Sequence, residues 1–205
     1  MQNTSQSRLV ISQTPNFKMM KEPRTKSPIS TAQADQYYFF YSTSSPFSNF
    51  HPAHFVDEEE GNSFFCSEQY MMYHKAILFE DYNIAEKILE GEIDPMICKR
   101  LGRQVKNFNH QVWKANARRI VADGLYLKFT QNPFLKRELL STSNLEMIEA
   151  APRDRIWGIG YSAKKALEIP ITSWGTNWLG QALMIVRERI RKEEYDQEEA
   201  PNEEG

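Results

Sequence analysis

Residues 64–79 constrain this chain most, because they predict a helix whose buried face holds a carboxylate at one end and an amine at the other. Ser67 is a favoured N-cap, since its hydroxyl accepts a hydrogen bond from a first-turn N–H that the helix itself leaves unpaired, and Glu68 then takes the first helical position. Helical spacing gathers Glu68, Met71, Met72, Lys75 and Phe79 on one side. The apolar members turn that side towards the protein. Seven residues of helix separate Glu68 from Lys75 by roughly 10 Å, too far to pair and suited to opposite ends of a small-molecule pocket. A structural reading stands beside this one: the helix dipole favours a first-turn acid anyway, and Lys75 can snorkel to water.

The remainder can enclose such a helix. At 205 residues, 40% hydrophobic and 12% aromatic, the chain suffices for one domain with a substantial core. Its net charge of −2 is unevenly spread. Residues 1–34 carry Arg8, Lys18, Lys21, Arg24 and Lys26 against Glu22, a net of 5 − 1 = +4, whereas residues 193–205 carry only acids among their charges. The centre is close to neutral, so no global signature of nucleic-acid binding is present. Cys66 and Cys98 are the only cysteines, too few for a disulfide framework or a four-cysteine zinc site, and they fit a reducing compartment. No apolar run has the length of a signal sequence or membrane span, so an intracellular protein, cytoplasmic or nuclear and without a membrane partner, is expected. Residues 1–34 read as a flexible leader, with an organelle-targeting segment as the other reading, and 193–205 as an acidic disordered tail.

Between them, Tyr37–Tyr41 has the composition of a buried strand. Residues 42–52 form a loop by their Ser, Pro and Asn content, yet hold Phe47 and Phe50, which either stack on a ligand ring or anchor the loop in the core. Residues 53–56 and 63–66 read as a hairpin around an acidic turn. Asp81 and Asp94-Pro95 mark two further helix starts, Asn109 a long helix through Gln131, and Pro133 a short one. Asn177 is expected to cap the closing helix.

Two intervals suggest chemistry. From Lys99 to Arg119 there are Lys99, Arg100, Arg103, Lys106, Lys114, Arg118 and Arg119 with no acid, either a solvated basic face or a site for phosphate, with Arg103 as the foremost candidate. Residues 145–150 alternate as a strand, and the loop after it offers Asp154, placed where catalytic carboxylates often lie, with Trp157, Gly158 and Gly160. An Asp154 paired with Arg153 or Arg155 is the plain alternative. Neither metal ligands nor a nucleotide-cofactor motif is evident.

Ser45-Pro46-Phe47-Ser48-Asn49-Phe50, Ser67-Glu68-Gln69-Tyr70-Met71-Met72, Lys75-Ala76, Leu101-Gly102-Arg103, Gln131-Asn132-Pro133, Ala151-Pro152 with Asp154, Trp157-Gly158-Ile159-Gly160 and Gly180-Gln181-Ala182-Leu183-Met184 together resemble, in order, the motifs of the NADAR (YbiA-like) superfamily. The resemblance spans residues 38 to 191 and implies a single α+β domain over about 35–192, mainly helical with a small β-sheet. It also implies an N-glycosidase that splits a ribosyl–base bond, and since no metal-ligand or nucleotide-cofactor motif is evident, a cofactor-free hydrolysis is expected. The substrates implied are ADP-ribosylated guanine in nucleic acid, with ADP-ribose as product, or phosphorylated ribosylaminopyrimidines of the riboflavin pathway. A non-catalytic module binding ADP-ribose or NAD is the alternative. By resemblance Glu68, Trp113 and Asp154 are the catalytic set, with Lys75 added; Ser45, Phe47, Ser48, Asn49, Phe50, Arg103, Trp157, Gly158 and Gly160 are candidates for binding substrate. The family often has Gly within residues 141–144, where this chain has Ser, Thr, Ser and Asn.

Overall fold

The computed structural model of the protein describes residues 34–199; residues 1–33 of the expected leader and the last six residues of the tail lie outside them. Strands β1 (Tyr37–Phe40), β2 (Phe55–Asp57) and β3 (Asn62–Phe64) precede helices α1 (Ser67–Leu78), α2 (Tyr82–Leu89), α3 (Pro95–Gly102), α4 (His110–Gln131) and α5 (Pro133–Ser141). Strand β4 (Glu146–Glu149), α6 (Ala163–Leu167), a 3-10 turn (Ile171–Ser173) and α7 (Trp178–Glu198) complete the chain. The fold is α+β and mainly helical, as the sequence predicts. Its strands divide into two separate pairs rather than one sheet: β2 and β3 are antiparallel neighbours, and β1 lies parallel to β4.

Helix starts follow local chemistry. Asp81 accepts from the Ile84 N–H, Asp94 from that of Met96 ahead of Pro95, and Asn109 from those of Gln111 and Val112. The first helix begins one residue earlier than expected. Cys66 is its cap, the Sγ accepting from the Gln69 N–H at 3.4 Å, while Ser67 lies inside the helix with a buried hydroxyl that has no partner. The chain arrives from β3 in extended geometry, and Cys66 is the last extended residue. Gln69 then ties α1 to its neighbours, accepting from the Phe65 N–H and donating to the Ile88 carbonyl.

The core lies between α1, α4 and α7. Ile120, Val121, Leu125 and Phe129 of α4 meet Tyr70, Tyr73 and Ala76 of α1 and Leu179, Leu183, Val186 and Ile190 of α7, all buried. Phe55 and Phe64 bring the hairpin against Tyr70. Gln131, at the end of α4, accepts from and donates to the Val56 backbone, so the helix terminus satisfies the outer edge of β2. The closing helix runs through Glu198, six residues into the expected acidic tail, held there by pairs such as Lys192 with Asp196. No described helix is long and apolar enough to cross a membrane.

Asn177 does not cap that helix through its side chain. It sits at φ +51°, and its amide reaches sideways to β4, accepting from the Glu149 N–H at 2.9 Å and donating to the Met147 carbonyl at 2.8 Å. Asn tolerates the left-handed region better than most residues, which lets the turn aim its side chain at the strand. Asn177→Ala leaves a buried donor and acceptor unpaired in an unfavourable conformation. It is expected to cost about 2–4 kcal/mol, read from the urea unfolding midpoint. Ser143 holds a similar positive φ of 48° within the loop where the family often has Gly.

Candidate active site

Strand ends and helix faces converge on one cavity of about 210 Å³, lined by Ser48, Asn49 and Phe50 of the loop after β1, Glu68, Met71, Met72 and Lys75 of α1, Lys99, Gly102 and Arg103 at the end of α3, Trp113, Glu149, Asp154, Trp157 and Leu179. Glu68 and Lys75 thus line the same cavity with two methionines between them. The Glu68 side chain is buried, and its backbone N–H donates to the Asn49 carbonyl at 2.9 Å, fixing loop to helix. Burial pushes the Glu68 carboxyl up to about 7; Lys99, Arg103 and Lys75 oppose the rise and Asp154 adds to it.

Lys75 Nζ donates to the Gly102 carbonyl at 2.6 Å and lies 4.4 Å from the Phe108 ring centre and 5.6 Å from that of Trp113. Desolvation and the nearby Arg103 lower its pKa, with Glu68 pulling the other way. Lys99 Nζ is 5.3 Å from the Phe50 ring centre. Three cations and three carboxylates therefore share a small apolar-walled space.

Asp154 does not pair with either neighbouring arginine. Its Oδ1 accepts from the Ile156 and Trp157 N–H groups, both at 2.9 Å, which fixes the carboxylate and directs its other oxygen elsewhere. Arg155 instead reaches the Ser173 carbonyl. Trp157 packs edge-on to Trp178 at 5.6 Å.

Four of the expected substrate contacts do not line the cavity. Phe47 is 1% exposed and packed among Tyr38, Phe40 and Phe129, so it anchors the loop, while Phe50 alone of the two faces the cavity. Ser45 closes a turn, its hydroxyl accepting from the Phe47 N–H. Gly158 is needed for close packing, since a Cβ there would meet the Glu149 carbonyl oxygen at 2.7 Å, and Gly160 adopts φ +80°. Of the basic interval only Lys99 and Arg103 reach the cavity; Arg119 pairs with Asp123 and Arg118 donates to Gln181.

Two contributors were not singled out from the sequence. Lys128, wholly buried on α4, donates to the carbonyls of Pro46 and Ser48 at 2.7 and 3.0 Å and so holds the loop that presents Asn49 and Phe50. Burial lowers its pKa to about 7. Glu149, at the end of β4, is in phase with the fully buried Met147, and that alternation is the signal that turns its carboxyl inward. The Asn49 amide oxygen is also buried without a partner, an acceptor available to a bound molecule.

A family model described as the NADAR domain matches residues 38–191. The chain is 42% identical over 166 residues to the protein named N-glycosidase R617 of Acanthamoeba polyphaga mimivirus, covering 76% of this chain and 97% of that one. It is 30% identical over 154 residues to the protein named N-glycosidase YbiA of Escherichia coli, with 74% and 86% covered. A protein of Vibrio vulnificus named as a riboflavin biosynthesis protein is 30% identical over 120 residues, which are 58% of this chain and 30% of that longer one. The NMR structure of E. coli YbiA matches with a TM-score of 0.65 at 28% identity, over 83% of this chain and 92% of that one. The motif order, the fold and these matches have one common reading: the chain belongs to the NADAR family.

Proposed function

We propose that this protein is an N-glycosidase that hydrolyses the bond between the anomeric carbon of a phosphate-bearing ribosyl group and a base nitrogen, with ADP-ribosylated guanine as its substrate. The observation that carries this reading is the convergence of Glu68 and Asp154 with Lys75, Lys99 and Arg103 around one cavity. Breaking an N-glycosidic bond builds positive charge on the ribose ring, which carboxylates stabilise, while cations receive the phosphates. In this reading Glu68 and Asp154 hold the developing oxocarbenium ion and activate water. Trp113 and Phe50 offer faces for base or sugar, and Asn49 accepts from an amino or hydroxyl group. The lowered pKa of Lys75 also suits attack on a ring-opened ribose, a covalent route to the same products.

A module that only binds ADP-ribose gains nothing from carboxylates facing an anionic ligand, so the enzyme reading is the better supported. The names of the N-glycosidase relatives support the bond class; the Vibrio relative's name points to riboflavin-pathway substrates. Mass spectrometry of products separates these cases, with an oligonucleotide bearing ADP-ribosylated guanine and a ribosylaminopyrimidine 5′-phosphate supplied in turn. Release of free ADP-ribose from the first is expected. Release of ribose 5-phosphate from the second alone would reassign the substrate, and binding of ADP-ribose with no turnover of either would leave a recognition module.

A further inference from the structure

The glycosidase reading leaves one question of chemistry open: the departing base nitrogen needs a proton, and the carboxylates beside the ribose are needed ionised. Resting on that reading, we propose that Glu149 is a third catalytic carboxyl group, the acid that protonates the base nitrogen as the glycosidic bond breaks.

The geometry is specific. Glu149 lines the same cavity as Glu68 and Asp154, its main chain is held by three neighbours, and its side chain is half-buried. Its N–H donates to Asn177 Oδ1, its carbonyl accepts from the Ile159 N–H at 2.9 Å, and Gly158 packs against that same carbonyl. The strand end that carries the carboxyl is thereby fixed beside the cavity. Yet Oε2 is buried with no hydrogen-bond partner. Ionised, the group would leave a buried oxygen without a hydrogen bond at a desolvation cost, so it is better accommodated carrying its own proton.

The charges around it agree. Asp154 on the following loop and Glu68 on α1 face Glu149 and disfavour its ionisation, and Lys99 on α3 is the cation that opposes them. Glu68, by contrast, has three cations acting on it, Lys99, Arg103 and Lys75. Burial and these neighbours push Glu149 up to about 8, against about 7 for Glu68. Glu68 has three cations acting on it and Glu149 one, so Glu68 is the better placed to ionise and Glu149 to hold a proton.

The step balances as follows. The C1′–N bond breaks, its electron pair passes to the base nitrogen, and that nitrogen takes the proton of Glu149. A water oxygen bonds to C1′ and yields a proton to the Asp154 carboxylate, and solvent returns that proton to Glu149. Products are the free amine of the base and a ribosyl hydroxyl.

Glu149→Gln keeps shape and removes the acid. It is expected to lower kcat about 100-fold on a ribosylated base while leaving KM within threefold. A 4-nitrophenyl riboside 5-phosphate, whose leaving group departs without a proton, is expected to be turned over by the variant within threefold of the rate of the unsubstituted protein. Full activity of the variant on the base substrate, or equal losses on both substrates, overturns the assignment. A measurement on the unsubstituted protein stands independently of the variant's folding: kcat is expected to fall as pH rises through about 8, and a flat profile to pH 9.5 overturns the acid role. If the unsubstituted protein cleaves neither substrate, the glycosidase reading itself has failed, an outcome distinct from a Glu149→Gln protein that works as well as its parent.

Discussion

Glu68→Gln is expected to lower kcat on a ribosylated base about 1,000-fold and, at the same time, to make the protein more stable at pH 8. Both effects come from one cause. The carboxylate is buried against Met71 and Met72, where ionisation is unfavourable, and its pKa is raised from an ordinary 4.5 to about 7. A carboxyl whose folded pKa lies above its unfolded one lends the fold full stability below about pH 4.5, and that contribution is lost as pH rises through about 7. At pH 8 the native protein therefore bears a cost of up to about 3 kcal/mol, at 1.36 kcal/mol per pKa unit, which glutamine removes. The Glu68 backbone bond to Asn49 is unaffected by the change. Activity falls because charge stabilisation of the ribose is lost, typically worth 10²–10⁴-fold. Steady-state kinetics alongside urea unfolding at pH 5 and pH 8 reads both; a variant that keeps full turnover removes Glu68 from the mechanism. The variant's advantage in urea should be several-fold larger at pH 8 than at pH 5. Trading stability for a charged active site is a general feature of enzymes.

Gly180→Ala is expected to be the most damaging single methyl that can be added to this fold, at about 4 kcal/mol or more. The first turn of α7 crosses the end of β4 so closely that a Cβ on Gly180 would collide with the Met147 carbonyl oxygen. It would also meet the Asn177 amide at 2.6 and 2.7 Å, the group that bridges helix and strand. Neither neighbour is a loose side-chain end, so the helix itself must move and leave the Asn177 hydrogen bonds broken. For the 166 described residues, 4 kcal/mol corresponds to a fall in Tm of roughly 8–16 °C, measurable by calorimetry. Gly102→Ala is the internal comparison. A Cβ there meets the flexible Met72 thioether, which can turn aside, so a loss of about 1–2 kcal/mol is expected. Equal losses at the two glycines would discard the backbone collision as the cause.

Local chemistry made most element boundaries legible. Asp81, Asp94-Pro95, Asn109 and Pro133 each start the helix that their side chains or ring predict, because these interactions are completed within a few residues. The first cap was misplaced by one residue, since Cys66 is an uncommon cap and Ser67 a common one, while extended geometry persists through Cys66. What escaped was long-range. Nothing local tells Phe47 from Phe50; the packing of Phe47 against Phe40 and Phe129 decides it. The side-chain role of Asn177 depends on a strand some thirty residues earlier, and the pairing of β1 with β4 cannot be read from either segment. Glu68, Lys75, Trp113, Asp154 and Arg103 all line the one cavity. Glu149 was passed over because acids in a short strand are ordinarily solvated, and its inward phase with Met147 becomes telling only beside Asp154.

The parallel pairing of β1 with β4 also bears on how the molecule comes into being. Tyr37 finds Glu146 more than a hundred residues later in the chain, and parallel strands this short close only against an existing support. During synthesis α1 through α5 can form and pack while β1 waits unpaired. The half of the cavity that holds Glu68 and Lys75 therefore precedes the half that holds Glu149 and Asp154. Loops closed over such separations are slow to form, so the β1–β4 pairing adds long-range contacts of the kind that slow folding. Until β4 and α7 have emerged from the ribosome, the nascent protein has one wall of the cavity and lacks the other.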